Sequence, residues 1–154
     1  MEDQITMEEL WSYVKGPMFS LTDREKQLGL GSKGITTYFT PNCTQQDSDL
    51  VNRFLKSMNI EGYINRVIKV SKGGKDGQDV YEIRHAAADN STLTETQVFE
   101  NAEFIVTAGD YAPLMSKVND NLVLAAKYAA NEEEKSMLEC YVKSFKEGMF
   151  ATCY

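Results

Sequence analysis

The sequence predicts an α+β fold: an antiparallel β-sheet or partial barrel of about four to five strands, with flanking helices and a C-terminal helix pair. Three observations predict it. Oxygen-bearing caps stand three residues before carboxylates near both ends of the chain, short β-branched segments bounded by turn residues fill the middle, and the last third repeats apolar side chains at helical spacing.

Taken in order, Thr6 with Glu9, Thr22 with Glu25, and Asn131 with Glu134 each mark a helix start, because the carboxylate can reach back to the cap's backbone N–H. Thr44 with Asp47 opens a fourth helix over Gln45–Ser57, whose Leu50, Val51, Phe54, Leu55 and Met58 share one face. Strands are expected at Ile35–Phe39, Arg66–Val70, Val80–Ala86 and Phe104–Thr107, with Gln97–Phe99 as a possible fifth. The glycine-rich run 71–77 reads as a hairpin turn that pairs the second and third strands antiparallel. The polar stretch Ala88–Thr96 reads as a long loop. Asp110 is placed to cap a helix whose first turn tolerates Pro113 and whose stripe is Leu114, Val118, Leu122, Ala125 and Ala129. A final helix follows from Asn131, with Met137, Leu138, Tyr141, Val142 and Phe145 recurring and Gly148 ending it.

The 154 residues fit one domain, 1–154, which at that size buries about 70% of its unfolded surface. A net charge of −7 with no basic cluster argues against nucleic acid as a partner. Leu122–Ala130, the longest mainly apolar run, is too short to span a bilayer, and Met1–Leu10 is acidic where a secretory leader would be basic. Cys43, Cys140 and Cys153 are an odd set at wide spacing, so reduced thiols and a cytoplasmic setting are expected.

The candidate constellations resolve toward structure. Gly29-Leu30-Gly31-Ser32-Lys33-Gly34 matches a dinucleotide fingerprint but leaves a helix and enters a strand, the reverse of the order that aims a helix N-terminus at a pyrophosphate. His85, the single histidine, cannot assemble a zinc site alone and is expected on a half-buried strand face with Tyr81 and Ile83. Pairing it with a cysteine nucleophile would need Cys43, Cys140 or Cys153 brought close by the fold, and Cys140 reads as a small hydrophobe on the last helix. Glu132-Glu133-Glu134 reads as solvated dipole capping, and in Gly109-Asp110-Tyr111-Ala112-Pro113 the aspartate is expected to cap while Tyr111 packs. No catalytic, cofactor-binding or metal-ligating residue is therefore assigned within the chain.

The run Leu28-Gly29-Leu30-Gly31-Ser32-Lys33-Gly34-Ile35-Thr36-Thr37-Tyr38-Phe39, continuing through Asn42-Cys43-Thr44, resembles the dipeptidyl-peptidase III family of zinc metallopeptidases. Pro17–Leu21, Gly109–Pro113, Tyr128–Asn131 and Ser144-Phe145 are similar to it in the same order, so the likeness covers roughly Met7 to Gly148. The resemblance implies a two-lobed cytosolic enzyme that removes dipeptides from the N-termini of short peptides. Its zinc is held by a His-Glu-x-x-x-Gly-His motif and a later glutamate, with the motif's glutamate activating water.

None of those residues stands in this sequence, and Tyr111 is not the family's substrate-holding tyrosine. The matching region is similar to the lower lobe, built around a β-barrel-like core that forms one wall of the substrate cleft, and Met149–Tyr154 departs from the family pattern. The expectation is a partial domain, scaffold and cleft wall without the catalytic zinc and inactive alone. The alternatives are a stand-alone peptide- or protein-interaction module that binds by strand addition, and a thiol-dependent enzyme. Faces meant for absent neighbours would also make the isolated chain self-associate.

Overall fold

The computed structural model describes residues 6–148. Helix α1 (Met7–Met18) is followed by a 3₁₀ turn at Gly31–Lys33, α2 (Gln45–Ser57), strands β1 (Asn65–Val70), β2 (Val80–Ala86), β3 (Gln97–Phe99) and β4 (Ala102–Asp110), then α3 (Ala112–Ala126) and α4 (Glu132–Glu147). The sheet order is β1-β2-β4-β3. β1 and β2 form the expected antiparallel hairpin and β3 pairs antiparallel with β4, but β2 and β4 run parallel. The sheet is thus mixed and open rather than a closed barrel, because β4 enters between β2 and β3 instead of adding to an edge.

Register puts three rungs on the inward face. Lys69, Tyr81 and Phe104 form the first, Val67, Ile83 and Val106 the second, and Asn65, His85 and Ala108 the third. Period-2 alternation sends the intervening residues to the other face. α2 lies on the first two rungs through Val51, Phe54 and Leu55, all buried. Phe54 stacks on Phe104 with ring centroids 4.1 Å apart, Tyr81 stacks on the same ring at 5.0 Å, and Phe99 meets it edge-on at 6.1 Å. Phe104 is therefore the centre of the core.

Thr6 and Thr44 form the expected capping boxes, and Asn131 accepts from Glu134 N. Thr22 Oγ1 donates to the Glu25 carboxylate and accepts from Glu25 N, but Thr22 N turns to Ser20 Oγ instead of Glu25, and the pair opens only a turn over residues 23–26, since Gly29 and the loop beyond it end propagation. Ile35–Phe39 is not a strand: Ile35 N donates to Gln27 O at 3.0 Å and Gly29 N to Ile35 O at 3.0 Å, so its bonds go to a local loop. The segment reaches β1 only near Phe39, where Val67 N donates to Tyr38 O and Thr40 N to Val67 O. Within Ala88–Thr96, Ser91–Thr94 extends along β4, with Ala108 N donating to Ser91 O at 2.7 Å and Leu93 N to Val106 O at 2.8 Å.

The helix pair forms, but its stripes are rotated from those expected. On α3 the inward residues are Met115, Val118, Asn119, Leu122 and Ala126, while Leu114 and Ala125 face outward. On α4, Leu138 and Val142 face inward, whereas Met137, Tyr141 and Phe145 stand outward, the last two rings stacked at 6.4 Å. Asn119 is buried between the helices, its amide turned toward Val142 O and Lys146 N, both at 3.2 Å. α1 buries no residue.

Phe104→Ala removes the shared partner of Phe54, Tyr81 and Phe99, so it should cost about 3–5 kcal/mol in urea denaturation. A loss below about 1 kcal/mol would show that the stacked rings are not the core's centre.

Candidate functional site

One polar cluster lies at the first rung. The cap that starts α2 places Asp47 one turn in, facing the sheet. Its Oδ2 accepts from Thr44 N at 2.6 Å and Thr44 Oγ1 at 2.7 Å, and its Oδ1 accepts from Lys69 Nζ at 2.7 Å and from the Tyr81 hydroxyl. Lys69 also pairs with Asp79 at 3.0 Å. Burial alone would raise the Asp47 pKa, but the hydrogen bonds from Lys69, Tyr81 and Thr44 outweigh it and hold the carboxyl well below its usual range. Burial would lower Lys69, yet Asp47 and Asp79 push it up, and burial with the bond to Asp47 pushes Tyr81 up. Every member is committed to a partner, so the cluster fixes α2 to the sheet and holds no group poised for proton transfer.

A second feature arises where β4 ends. Gly109, at φ +99, lets the strand bulge between the pairs His85↔Ala108 and Ala86↔Asp110, and a Cβ there would sit 2.9 Å from Asn90. The bulge turns Asp110 to a bidentate pair with Arg66, both contacts 2.6 Å. Asp110 is thus the last residue of β4 rather than a helix cap. Tyr111, left-handed at φ 58, occupies the cap position of α3 with no side-chain cap bond, and Arg66 lies over its ring at 4.7 Å. The ring is about half exposed, held by the guanidinium rather than packed in a core.

Between these features runs an apolar groove of about 730 Å³. Leu28–Phe39 forms one bank, α2 contributes Ser48, Val51, Asn52 and Leu55, and Tyr63, Asn65 and Val67 close the floor. Thr37, Tyr38, Tyr63 and Asn65 also line a neighbouring cavity of about 270 Å³ that ends at Arg66, Asp110 and Tyr111. Gly34 shapes the bank: a Cβ there would lie 2.5 Å from Gly29 N, so the loop closes on its own backbone. The glycine run serves this closure, and its backbone leads from a turn into the groove wall. The groove presents apolar surface with hydroxyl and amide groups at its margins, a lining suited to binding rather than bond cleavage.

The remaining candidates are dispersed. Cys43 is fully buried, and burial raises its pKa, so it stays a neutral thiol beside Thr40 Oγ1. Cys140 lies part-buried on α4. Cys153 lies outside the described residues, as does Met149–Tyr154. His85 is 6% exposed on the inward face with Tyr81 and Ile83, more deeply set than the half-buried position expected. Glu132–Glu134 are exposed in the first turn of α4, with Ala130 N donating to Glu134 at 2.6 Å. Among the described residues, no group of three His, Cys, Asp or Glu side chains could hold a metal ion, and the donors of the zinc site that the resemblance implies have no counterparts there.

Asp47→Asn keeps the shape of the cluster but leaves Lys69 short of its charge partner, and should cost about 3–5 kcal/mol. Because the Asp47 pKa is depressed, its contribution is full above the ordinary carboxylate value and is lost as pH falls toward the folded value. Denaturation followed from about pH 7 to about pH 2 should show the wild type losing stability below about pH 4. The Asn variant should lose less over that range, and equal acid slopes would contradict the assignment.

A model of Peptidase family M49 matches residues 10–153. Dipeptidyl peptidase 3 of Mus musculus is 42% identical over 149 residues, covering 91% of this chain and 20% of the relative. The Homo sapiens protein of that name is 39% identical over 148 residues, with 90% and 20% covered. That of Dictyostelium discoideum is 36% identical over 140 residues, with 91% and 19% covered. The chain spans about a fifth of the length of the curated relatives it matches. With nearly all of its length inside the family match, the groove bank Leu28–Phe39 included, this chain belongs to peptidase family M49.

Proposed function

We propose that this chain forms one wall of the peptide-binding cleft of a dipeptidyl peptidase, as a partial lower lobe that supplies scaffold and contact surface but no catalytic or metal-ligating residue. The observation that carries the reading is a coincidence: Leu28–Phe39, which bears the likeness to the dipeptidyl-peptidase III family, is also one bank of the groove. An extended peptide would lay apolar side chains against Leu28, Ile35, Val51 and Leu55. Thr36, Thr37, Ser48 and Tyr63 stand near enough to its path to hold its backbone. The substrate class is short peptides, with dipeptides released from the N-terminus by an enzyme of which this chain is a part. The zinc that the resemblance implies would polarise the scissile carbonyl from ligands elsewhere in that enzyme. The cytoplasmic setting belongs to the same reading and rests on the resemblance.

A second reading has its own observation. β3 is an edge of the sheet and its Val98 is 69% exposed, so a stand-alone interaction module could add a peptide strand there.

The isolated chain, given zinc and a fluorogenic dipeptidyl arylamide, should release no dipeptide, and sustained turnover would overturn the reading. Short peptides should bind in fluorescence anisotropy, and Ile35→Asp should weaken them by about tenfold or more, since it replaces buried apolar contact with charge. If Ile35→Asp binds as the wild type while Val98→Asp does not, the edge-strand reading takes its place. The apolar faces of α1 with its C-cap (Met7, Trp11, Phe19) and of α4 (Met137, Tyr141) should also drive self-association. Light scattering at rising concentration checks this, and a constant monomer mass would exclude it.

A further inference from the structure

His85 sits where the end of α4 returns to β2. On β1, Asn65 Nδ2 donates to Glu61 O at 2.6 Å, which turns Asn65 Oδ1 toward His85 Nδ1 in a close hydrogen bond. An amide oxygen has no proton to give, so Nδ1 carries the hydrogen and the neutral ring keeps its lone pair on Nε2. The other edge of the ring meets Gly148, where a Cβ would stand 2.7 Å from His85 Cδ2 and 3.0 Å from Ala86 O. Around that contact Ala88 N donates to Phe145 O and Asp89 N to Lys146 O, both at 2.9 Å. The last turn of α4 is thus seated on residues 85–89 with the imidazole beneath it.

The two arginines near this seat are engaged elsewhere. Arg66 pairs with Asp110 and Arg84 with Glu82, on strand positions that alternate away from the inward face. β4 presents Ala108 opposite the ring, and α3 presents the neutral Asn119 to α4. Glu61 and Asp89 lie in the flanking loops, and Lys146 and Glu147 on the last turn of α4. Two influences act on the ring: burial, which lowers its pKa and is the larger, and the Gly148 backbone, whose carbonyl can accept from the protonated ring and so raises it.

We propose that His85 is an acid-released pin for the C-terminal turn of α4: a second proton on the ring sets a full charge between helix and sheet with no carboxylate bonded to it among the described residues, and the turn leaves residues 85–89. The sign follows from linkage. A ring freed to solvent takes its proton near the ordinary value of 6.5, whereas the seated ring takes it less readily. The seated form is favoured above the free-ring value and is lost as pH falls toward the seated value. The Asp47 cluster responds only in the lower carboxylate range, so the two responses fall in separate windows.

Amide hydrogen exchange of the 154-residue chain, corrected for intrinsic rates, tests the pin between about pH 7.5 and about pH 5. Protection at Ala88, Asp89 and Gly148 should fall by up to about tenfold per pH unit within the window, while Val106 at the sheet centre keeps its protection. His85→Gln should abolish that slope. Asn65→Asp sets a carboxylate against Nδ1 and should flatten or reverse it. Flat or rising wild-type protection on acidification overturns the proposal, as does a wild-type slope in Asn65→Asp. Should His85→Gln fail to fold, the ring's own titration by NMR decides, and a value at or above 6.5 overturns the pin.

Discussion

The carboxylate of Asp47 is where helix, hairpin and loop are joined. One oxygen belongs to the start of α2 through Thr44, and the other to β1 and β2 through Lys69 and Tyr81. That sharing sets the height and rotation of α2 over the sheet, and from it Phe54 lands on Phe104 and Val51 and Leu55 come to form the groove's inner bank. A buried ion pair of this kind adds little net stability compared with apolar packing, but a wrong register would leave it unanswered at high cost. It works as a locator more than as a glue. The inward face accordingly runs from a charged rung through an apolar one to the Asn65–His85 rung, with polar partners closing both ends of the core.

The parts of this fold that were legible in the sequence are those made by neighbours in the chain. Capping at Thr6, Thr44 and Asn131, the β1–β2 hairpin and the helix pair all follow from contacts within a few residues. What was not legible depends on partners far apart. Asp110 before Pro113 has the spacing of a cap, yet its partner Arg66 is 44 positions away and the backbone bulge that reaches it is visible only as a glycine at 109. The parallel alignment of β2 with β4 leaves no trace in either strand's pattern. Ile35–Phe39 has strand-like side chains, but hydrogen bonds between its backbone and Gln27 and Gly29 pre-empt a ladder. In α4 both apolar stripes are genuine, and periodicity alone could not tell which one meets α3. The groove was missed for the same reason: its banks come from three segments, and only the glycine-rich likeness at Leu28–Phe39 pointed toward it.

Family membership gives the outward apolar residues a coherent setting. The chain matches about a fifth of each relative's length, and in the proposed cleft-wall setting α1, with no buried residue of its own, is open to contact. The same holds for Met137 and Tyr141 on α4. By contrast, the α2–sheet core closes on itself through Phe54, Phe104, Ile83 and Val106, all under 2% exposed.

The placement of β4 between β2 and β3 carries a kinetic consequence. β3 and β4 are joined by two residues, Glu100 and Asn101, both at positive φ, so they form a local ribbon that can zip in microseconds. The parallel seam with β2 joins residues farther apart in the chain and so closes a longer loop, which costs more chain entropy than the β3–β4 turn does. The sheet is thus two antiparallel ribbons, each closed by near neighbours in the chain, meeting along a single parallel line whose contacts are the most costly to bring together.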